Sequence, residues 1–217
     1  VISKTVESLQ SDLDMQAPPR RIEAFDNSNI QGKHAVAGMV CFIDGKPRKG
    51  EYRKFNIKPV KGIDDFATMH EVVTRKYKRV LDEGNSLPDL ILIDGGKGQL
   101  SAGKSALDGL GLGYIPIIGL AKRLEEVFKP GISQAQSIAK TSPGLFLLRK
   151  IRDEVHRFAI SFHRKKRDKK MILSIFDGIR GMGKTRVKRL WSEFDSLKDI
   201  QKASPKQLVS ALKVPEK

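Results

Sequence analysis

The sequence predicts an α/β fold in which a mixed five-stranded sheet is flanked by helices and followed by a small all-α domain. Three observations predict this fold class. Residues 21–57 hold three strand-like segments joined by short turns, and residues 90–120 hold two strands separated by a helix. Residues 171–217 have helical patterns around a glycine-rich turn. Antiparallel strands followed by strand–helix units make a mixed sheet.

The first three strands are predicted to form an antiparallel meander. Side chains alternate along an extended segment, so Ile22 and Asp26 lie on one face of the first strand. Residues 34–43 are apolar on both faces, which is typical of an interior strand. An Asp-Gly turn at residues 44–45 then leads the chain into a third strand at residues 51–57.

The elements that follow alternate between helix and strand. A helix is predicted from an N-cap at Asp64 to residue 83. The apolar segments 90–93 and 115–120 are typical of parallel strands covered on both sides, and a second helix separates them. Residues 123–140 are polar and irregular, which favours a hairpin or flap.

A long helix over residues 143–167 closes the sheet domain, and the charges at its end predict a domain boundary. The abrupt start of the chain predicts that it is a fragment of a longer protein. The predicted parts are a linker or helix remnant at 1–17, the α/β domain at 18–165, a basic linker at 166–170, and an all-α domain with an incomplete second helical pair at 171–217.

A large excess of positive charge sets the composition apart. The chain has 41 Lys and Arg against 25 Asp and Glu, a formal net charge of +16, which favours nucleic acid or an anionic membrane surface as partner. No apolar run of about 18 residues and no signal-peptide pattern is found in the sequence, which argues against a membrane function. The single cysteine, Cys41, lies in an apolar strand, so disulfides and cysteine–metal sites are excluded.

Two aspartates lie in or directly after apolar strands. A right-handed crossover places the strand of Asp94 beside the strand of Asp26, near the strand ends where α/β sheets bind ligands. Ionised carboxylates in such strands need a cation nearby. Two carboxylates can hold Mg²⁺ or Mn²⁺ and leave positions for phosphate and water. In so basic a chain, this pair predicts a metal-dependent nuclease.

His156 is the best candidate for a third metal ligand. The long helix presents it on a polar face beside Arg149 and Arg152, which helical spacing brings together with it and which are candidate DNA contacts. An imidazole ligand shifts the preference toward Mn²⁺. It must be neutral to bind, so activity should fall on acidification.

Plainer interpretations of these residues stay open at the level of sequence. Asp94 and the two glycines after it also fit an ordinary turn. Asp26 also fits a structural carboxylate, and His156 also fits a hydrogen-bonded histidine on a helix. The Gly-Gly-Lys-Gly loop at residues 95–98 lacks the Walker spacing, so a bound nucleotide cofactor is excluded.

A glycine turn near the C-terminus is a second candidate contact with DNA. Gly181 and Gly183 let the backbone approach a phosphate, and the helix that follows begins with free N–H groups. We interpret the turn as a sequence-neutral grip on the DNA backbone rather than a plain helix connection. The basic residues behind the turn are Lys184, Arg186, Lys188 and Arg189.

Six linked motifs resemble one known family. They lie at residues 25–32 (Phe-Asp-x-Ser-Asn-Ile-Gln-Gly), 51–55, 64–66, 92–99 (Leu-Ile-Asp-Gly-Gly-Lys-Gly-Gln), 119–122 and 151–159 (Ile-Arg-Asp-Glu-Val-His-Arg-Phe-Ala). The family is UvrC, the incision subunit of bacterial nucleotide excision repair. The chain resembles its C-terminal half from Pro18 to the end.

The resemblance implies an RNase H-like endonuclease domain followed by tandem helix-hairpin-helix motifs. It implies a bacterial, cytoplasmic protein that uses Mn²⁺ or Mg²⁺ to make the 5′ incision beside a lesion, in DNA held by UvrB. The family's catalytic aspartates fall on Asp26 and Asp94, and its catalytic histidine falls on His156. A less directly implicated acid falls on Asp65, which its place at a helix N-terminus also explains.

The sequence departs from the family pattern at two places. Asn27 stands where an apolar residue is usual, and the turn at residues 179–184 has Arg and Lys in place of two prolines, which predicts tighter and more salt-sensitive DNA binding. Two rival hypotheses remain. One is a DNA-binding and docking module that cuts only when UvrB presents the substrate. The other is an RNase H-like transposase or RNA-cleaving enzyme, which shares the site chemistry but lacks these motifs.

Overall fold

The computed structural model describes the backbone of residues 2–28, 36–57, 65–120, 126–176, 179, 181–194 and 197–212. Within these ranges, the side chains of residues 28, 36, 162–175, 184 and 197 are not described. The predicted N-cap at Asp64 lies outside the described residues. Contacts between Cα atoms divide the chain into two units, Val1–His163 and Arg164–Lys217.

The first unit is built on one mixed sheet. Its strands are β1 (Arg21–Ser28), β2 (Val36–Ile43), β3 (Lys46–Pro47), β4 (Arg53–Asn56), β5 (Leu90–Asp94), β6 (Ile117–Leu120), β7 (Glu126–Phe128) and β8 (Gln136–Ser137). Their spatial order is β3-β2-β1-β5-β6-β7-β8, and β4 also pairs with β2. The described sheet has eight strands instead of the five predicted, because a short β3 and the hairpin of β7 and β8 extend it. That hairpin lies in the segment predicted as a hairpin or flap.

Strand β1 lies in the interior of the sheet, between an antiparallel and a parallel neighbour. It pairs antiparallel with β2 and parallel with β5, as the right-handed crossover predicts. Within this register, Asp26 is opposite Asp94 on one side and opposite Gly38 on the other. The sheet topology therefore brings the two aspartates of the sequence motifs together.

Helices cover both faces of the sheet. They are α1 (Lys4–Asp12), α2 (Asp65–Glu83), α3 (Lys97–Gly109) and α4 (Pro143–Phe176), with a short 3-10 helix at Lys49–Glu51. Helices α2 and α3 pack over a core that includes Phe25 and Ile93. Helix α1 and the first half of α4 pack over the opposite face, which includes Ile22 and Leu92. Helix α4 continues through residues 166–170, so the predicted basic linker is helical.

Helix α1 is part of the core of the first unit. Its N-terminus is capped by Ser3, whose hydroxyl accepts a hydrogen bond from the Val6 N–H. Val6 and Leu9 are completely buried and pack in the same cluster as α4. Residues 1–17, predicted as a linker or helix remnant, thus contain a helix that contributes to the core.

The second unit has three short helices after the end of α4 in its described residues. They are α5 (Lys184–Glu193), α6 (Leu197–Lys202) and α7 (Pro205–Leu212). Val187 and Leu190 of α5 are buried, as is Ile200 of α6. These residues give the unit a small apolar core of its own.

Candidate active site

Asp26 and Asp94 occupy neighbouring positions near the carboxyl ends of two parallel strands. Both are buried, with 2% and 3% of their surface exposed. Alternation along β1 places Asp26 on the face of Ile22 and Ala24, which α4 covers. Two carboxylates are thereby held close together at the edge of an apolar layer.

His156 of α4 completes a cluster with these aspartates. Its Nδ1 lies 2.9 Å from Oδ2 of Asp26 and 3.6 Å from Oδ2 of Asp94. Its side chain is 42% exposed, so the cluster is open to solvent on the side of the helix. Ile151 and Val155, which are fully buried, anchor the helix against the sheet and fix the height of the imidazole above it.

Gly38 allows α4 to approach this part of the sheet. It lies opposite Asp26 in β2, and a Cβ atom there would come within 3.1 Å of the Phe158 ring and 3.3 Å of the Ala159 Cβ. A side chain at this position would therefore displace the helix that carries His156. The sequence interpretation missed this role, although a glycine inside an apolar strand signals a close approach.

The donor set of the cluster fits a divalent cation. One ligand atom from each of Asp26, Asp94 and His156 can be chosen such that all three lie within 4.8 Å of one another. The three side chains carry two negative charges and at most one positive charge, so a cation between them offsets the repulsion of adjacent buried carboxylates. Oxygen ligands with one imidazole suit Mg²⁺ or Mn²⁺.

A second acidic cluster, on the other face of β1, is structural. Glu23, Cys41 and Glu51 also have ligand atoms within 4.8 Å. Arg21 contacts both carboxylates, and Lys76 lies 3.9 Å from Glu23, so two cations already balance the two anions. Burial raises the pKa of the Cys41 thiol to about 12, which keeps it protonated. A neutral thiol is a poor metal ligand.

Asp65, the supporting acid of the sequence prediction, is exposed at the start of α2. Its main-chain oxygen accepts a hydrogen bond of 2.9 Å from Nδ2 of Asn27, the neighbour of Asp26. Asp65 is not among the three residues whose ligand atoms cluster. Asn27 thus ties the start of α2 to β1, which accounts for the polar residue at that position.

The predicted arginines of α4 flank His156. Arg152, one turn earlier, is largely covered, with 17% of its side chain exposed, and it donates a hydrogen bond of 3.0 Å to Asp153. The guanidinium carbon of Arg149 lies 5.5 Å from the centre of the Phe146 ring. Arg149 therefore packs beside an aromatic ring, two helical turns before His156.

The predicted DNA-binding residues of the second unit surround a tight turn. Gly181 has φ of +90°, which favours glycine, and Gly183 is the N-cap of α5. Arg186 donates a hydrogen bond of 2.7 Å to the Gly181 oxygen, so it also holds the turn together. Lys188 and Arg189 are exposed on α5. Lys184 is the first residue of α5, and its side chain lies outside the described part of the chain.

The mixed sheet and its covering helices define an α/β domain with a carboxylate–imidazole cluster at the carboxyl ends of two strands. The family model of the UvrC RNase H endonuclease domain matches residues 10–160. The chain belongs to this family, as the motifs of the sequence predict.

Curated relatives support this assignment. The chain is 50% identical to the UvrABC system protein C of Christiangramia forsetii over 97% of its own length and 36% of that protein. It is 49% identical to the protein of the same name from Cytophaga hutchinsonii, over 96% of the chain and 35% of that protein. The chain thus spans about a third of the length of the curated relatives it matches.

Similarity to solved structures is weaker. A Ciona intestinalis endonuclease V in complex with an inosine-containing 24mer DNA is 20% identical, with a TM-score of 0.38 over 60% of this chain and 59% of that one. An endonuclease V from Bacillus subtilis is 15% identical, with a TM-score of 0.33 over 63% and 65%. None of the helices in the described ranges is long and apolar enough to cross a membrane.

Proposed function

We propose that the chain is a metal-dependent DNA endonuclease that makes the 5′ incision beside a lesion in nucleotide excision repair. The observation that carries this proposal is the cluster of Asp26, Asp94 and His156, in which two adjacent buried carboxylates face one imidazole nitrogen. Membership of the UvrC RNase H endonuclease family supports the reaction type.

The three residues of the cluster would hold one or more Mg²⁺ or Mn²⁺ ions. Such an ion lowers the pKa of water and stabilises negative charge on the phosphate and the leaving oxygen. Asp26 and Asp94 would contribute carboxylate oxygens from neighbouring strands of the sheet. The contact of 2.9 Å between Nδ1 of His156 and Asp26 orients the imidazole toward the same point. The ring must be neutral to act as a ligand.

We assign DNA binding to basic residues of both units. In the second unit, the turn and the exposed cations of α5 support a helix-hairpin-helix contact with the DNA backbone. In the first unit, two arginines of α4 lie beside His156 and would position the phosphodiester. The assigned residues are Gly181, Gly183, Lys184, Arg186, Lys188 and Arg189 in the second unit and Arg149 and Arg152 in the first.

UvrB and damaged duplex DNA are the proposed partners, and the bacterial cytoplasm is the proposed location. The name shared by the curated relatives, UvrABC system protein C, supports an assembly with UvrB. A nuclease of this charge needs a device that restricts cutting to damaged sites, and presentation of the substrate by UvrB would supply it.

The direct test is incision of a lesion-containing duplex with Mn²⁺ or Mg²⁺, with and without UvrB. We expect wild-type chain to cut, and Asp26→Ala, Asp94→Ala and His156→Ala each to lose at least about 100-fold in rate while DNA binding persists. Asp82→Ala, an exposed carboxylate on α2, is the matched control. Undiminished cutting by all three variants would refute the mechanism. No cutting under any condition would leave a DNA-binding module as the better account.

A further inference from the structure

An open groove runs along the N-terminal part of α4 in the first unit. Its volume is about 840 Å³. Helix α4 lines one side of this basic groove, and the β2–β3 hairpin with the 3-10 helix lines the other. The lining residues on which its chemistry depends are Phe42, Lys49, Phe146, Arg149, Lys150 and Arg157.

The basic groove combines one exposed aromatic ring, that of Phe146, with several cations, whereas the Phe42 ring below them is buried. Phe146 is 54% exposed, so one part of its ring is accessible to a ligand. The guanidinium of Arg149 lies 5.5 Å from the centre of that ring, and Nζ of Lys150 lies 6.0 Å from the centre of the Phe42 ring. An exposed aromatic ring such as that of Phe146, with cations next to it, is a usual platform for the bases and phosphates of single-stranded nucleic acid.

The charge of the basic groove favours a polyanion. Four cations and two carboxylates line it, a net charge of +2. Both carboxylates already have partners. Glu154 accepts hydrogen bonds from Arg157 at 2.8 Å and from the Tyr52 hydroxyl at 3.0 Å, and Asp153 accepts one from Arg152 at 3.0 Å. A ligand therefore meets more positive than negative charge along this surface.

The basic groove leads away from the catalytic cluster. Arg149 precedes His156 by two helical turns, so the two residues share a face of α4. Phe146 lies ten residues before His156, about 15 Å along the helix axis. A strand whose phosphodiester lies at Asp26, Asp94 and His156 can therefore extend along α4 toward Phe146.

We propose that the basic groove binds an unpaired stretch of the incised DNA strand, with a base stacked on Phe146. Bases within a duplex stack on one another, so an exposed ring can stack only on a base that has left the helix. The occupant is thus single-stranded DNA next to the incision site. This assignment rests on the proposed endonuclease function, since that function places the DNA beside the groove.

Photo-crosslinking tests where the strand lies. A photoactivatable reagent is attached to a Pro47→Cys variant of the full chain, because Pro47 lines the groove and the natural Cys41 is buried. Tyr114→Cys, 73% exposed on the loop before β6, is the control position. In EDTA, the groove position should crosslink a DNA bubble at least about fivefold more than a paired duplex of the same sequence. Equal crosslinking of both DNAs, or no excess over the control position, overturns the proposal.

Affinity measurements test the contact itself. Phe146→Ala should weaken binding of a single-stranded oligonucleotide by at least about fivefold, and Phe146→Trp should restore it. Tyr114→Ala should leave binding unchanged, and so should Phe146→Ala with a fully paired duplex. Unchanged single-strand affinity of Phe146→Ala overturns the groove assignment. These binding measurements need no metal, so their outcome does not depend on catalysis. A wild-type chain that fails to cut would overturn the endonuclease proposal but would leave the binding results unchanged.

Discussion

At the scale of single residues, the geometry of the candidate site depends on the absence of a side chain at Gly38 as well as on the charged side chains nearby. Gly38→Ala would place a Cβ 3.1 Å from the Phe158 ring and push α4 outward. We expect a loss of about 1–3 kcal/mol in the free energy of unfolding from overpacking. The incision rate should fall by more than tenfold at temperatures where the variant is fully folded, because His156 moves away from Asp26.

The matched control for this substitution is Gly50→Ala, since no atom lies within 4 Å of a Cβ built at Gly50. Urea unfolding gives the stability of each variant, and the rate of duplex cutting gives the activity. If Gly38→Ala cuts as fast as Gly50→Ala, close approach of α4 is unnecessary for the site.

Cys41 gives a pH dependence whose sign follows from its burial. Burial and the carboxylates of Glu23 and Glu51 raise the pKa of the thiol to about 12, although Arg21 acts in the opposite direction. The folded chain keeps its proton when the unfolded thiol, with a pKa of 9.0, loses it. The contribution to stability is therefore complete below the unfolded pKa and is lost as pH rises toward the folded one.

We expect the free energy of unfolding to fall above about pH 9, by up to about 1.4 kcal/mol per pH unit from this residue. Urea unfolding between about pH 8 and pH 10 measures it. Cys41→Ala should flatten the same curve, at the cost of a lower stability overall. An identical pH dependence of stability in wild type and Cys41→Ala would show that the Cys41 thiol does not contribute to it.

At the scale of secondary-structure elements, α1 shows that tertiary packing determines whether a segment is a linker or a helix of the core. The segment was predicted as a linker or helix remnant because it precedes the strand motifs and ends in prolines. In the structure, Leu9 is completely buried against the same cluster as Leu148 of α4. Leu9→Ala should therefore lower the free energy of unfolding by about 2–5 kcal/mol.

Urea unfolding of the first unit checks this expectation, with Lys4→Ala as the control, since Lys4 is exposed on the same helix. A loss below about 0.5 kcal/mol for Leu9→Ala would mean that α1 is not part of the cooperative core.

The adjacency of β1 and β5 could be predicted from sequence, whereas the details of the site could not. Chain handedness and apolar strand patterns suffice to place Asp94 beside Asp26. Contacts between residues distant in sequence carry no such local signal. Three features depend on tertiary contacts and cannot be read from the periodicity of the sequence. They are the burial of α1, the formation of the short strand β3 and the exposure of Phe146.

At the scale of the whole molecule, the net charge of +16 predicts binding that weakens steeply with salt. The exposed Lys188 of α5 is assigned to a backbone phosphate, so Lys188→Ala should reduce the slope of log K against log salt by about 1. Lys78→Ala, an exposed lysine on α2, should leave the slope unchanged. Fluorescence anisotropy over a salt series measures both slopes. Equal slopes for the two variants would remove α5 from the DNA interface.

The proposed endonuclease function requires that Asp26, Asp94 and His156 form a site for a divalent cation. A calorimetric titration of the full chain with Mn²⁺, wild type beside Asp94→Asn, measures this most directly. We expect saturable Mn²⁺ binding by the wild type, with an affinity at least about 100-fold lower in Asp94→Asn and unchanged in Asp82→Asn. Equal Mn²⁺ affinity in wild type and Asp94→Asn would contradict it.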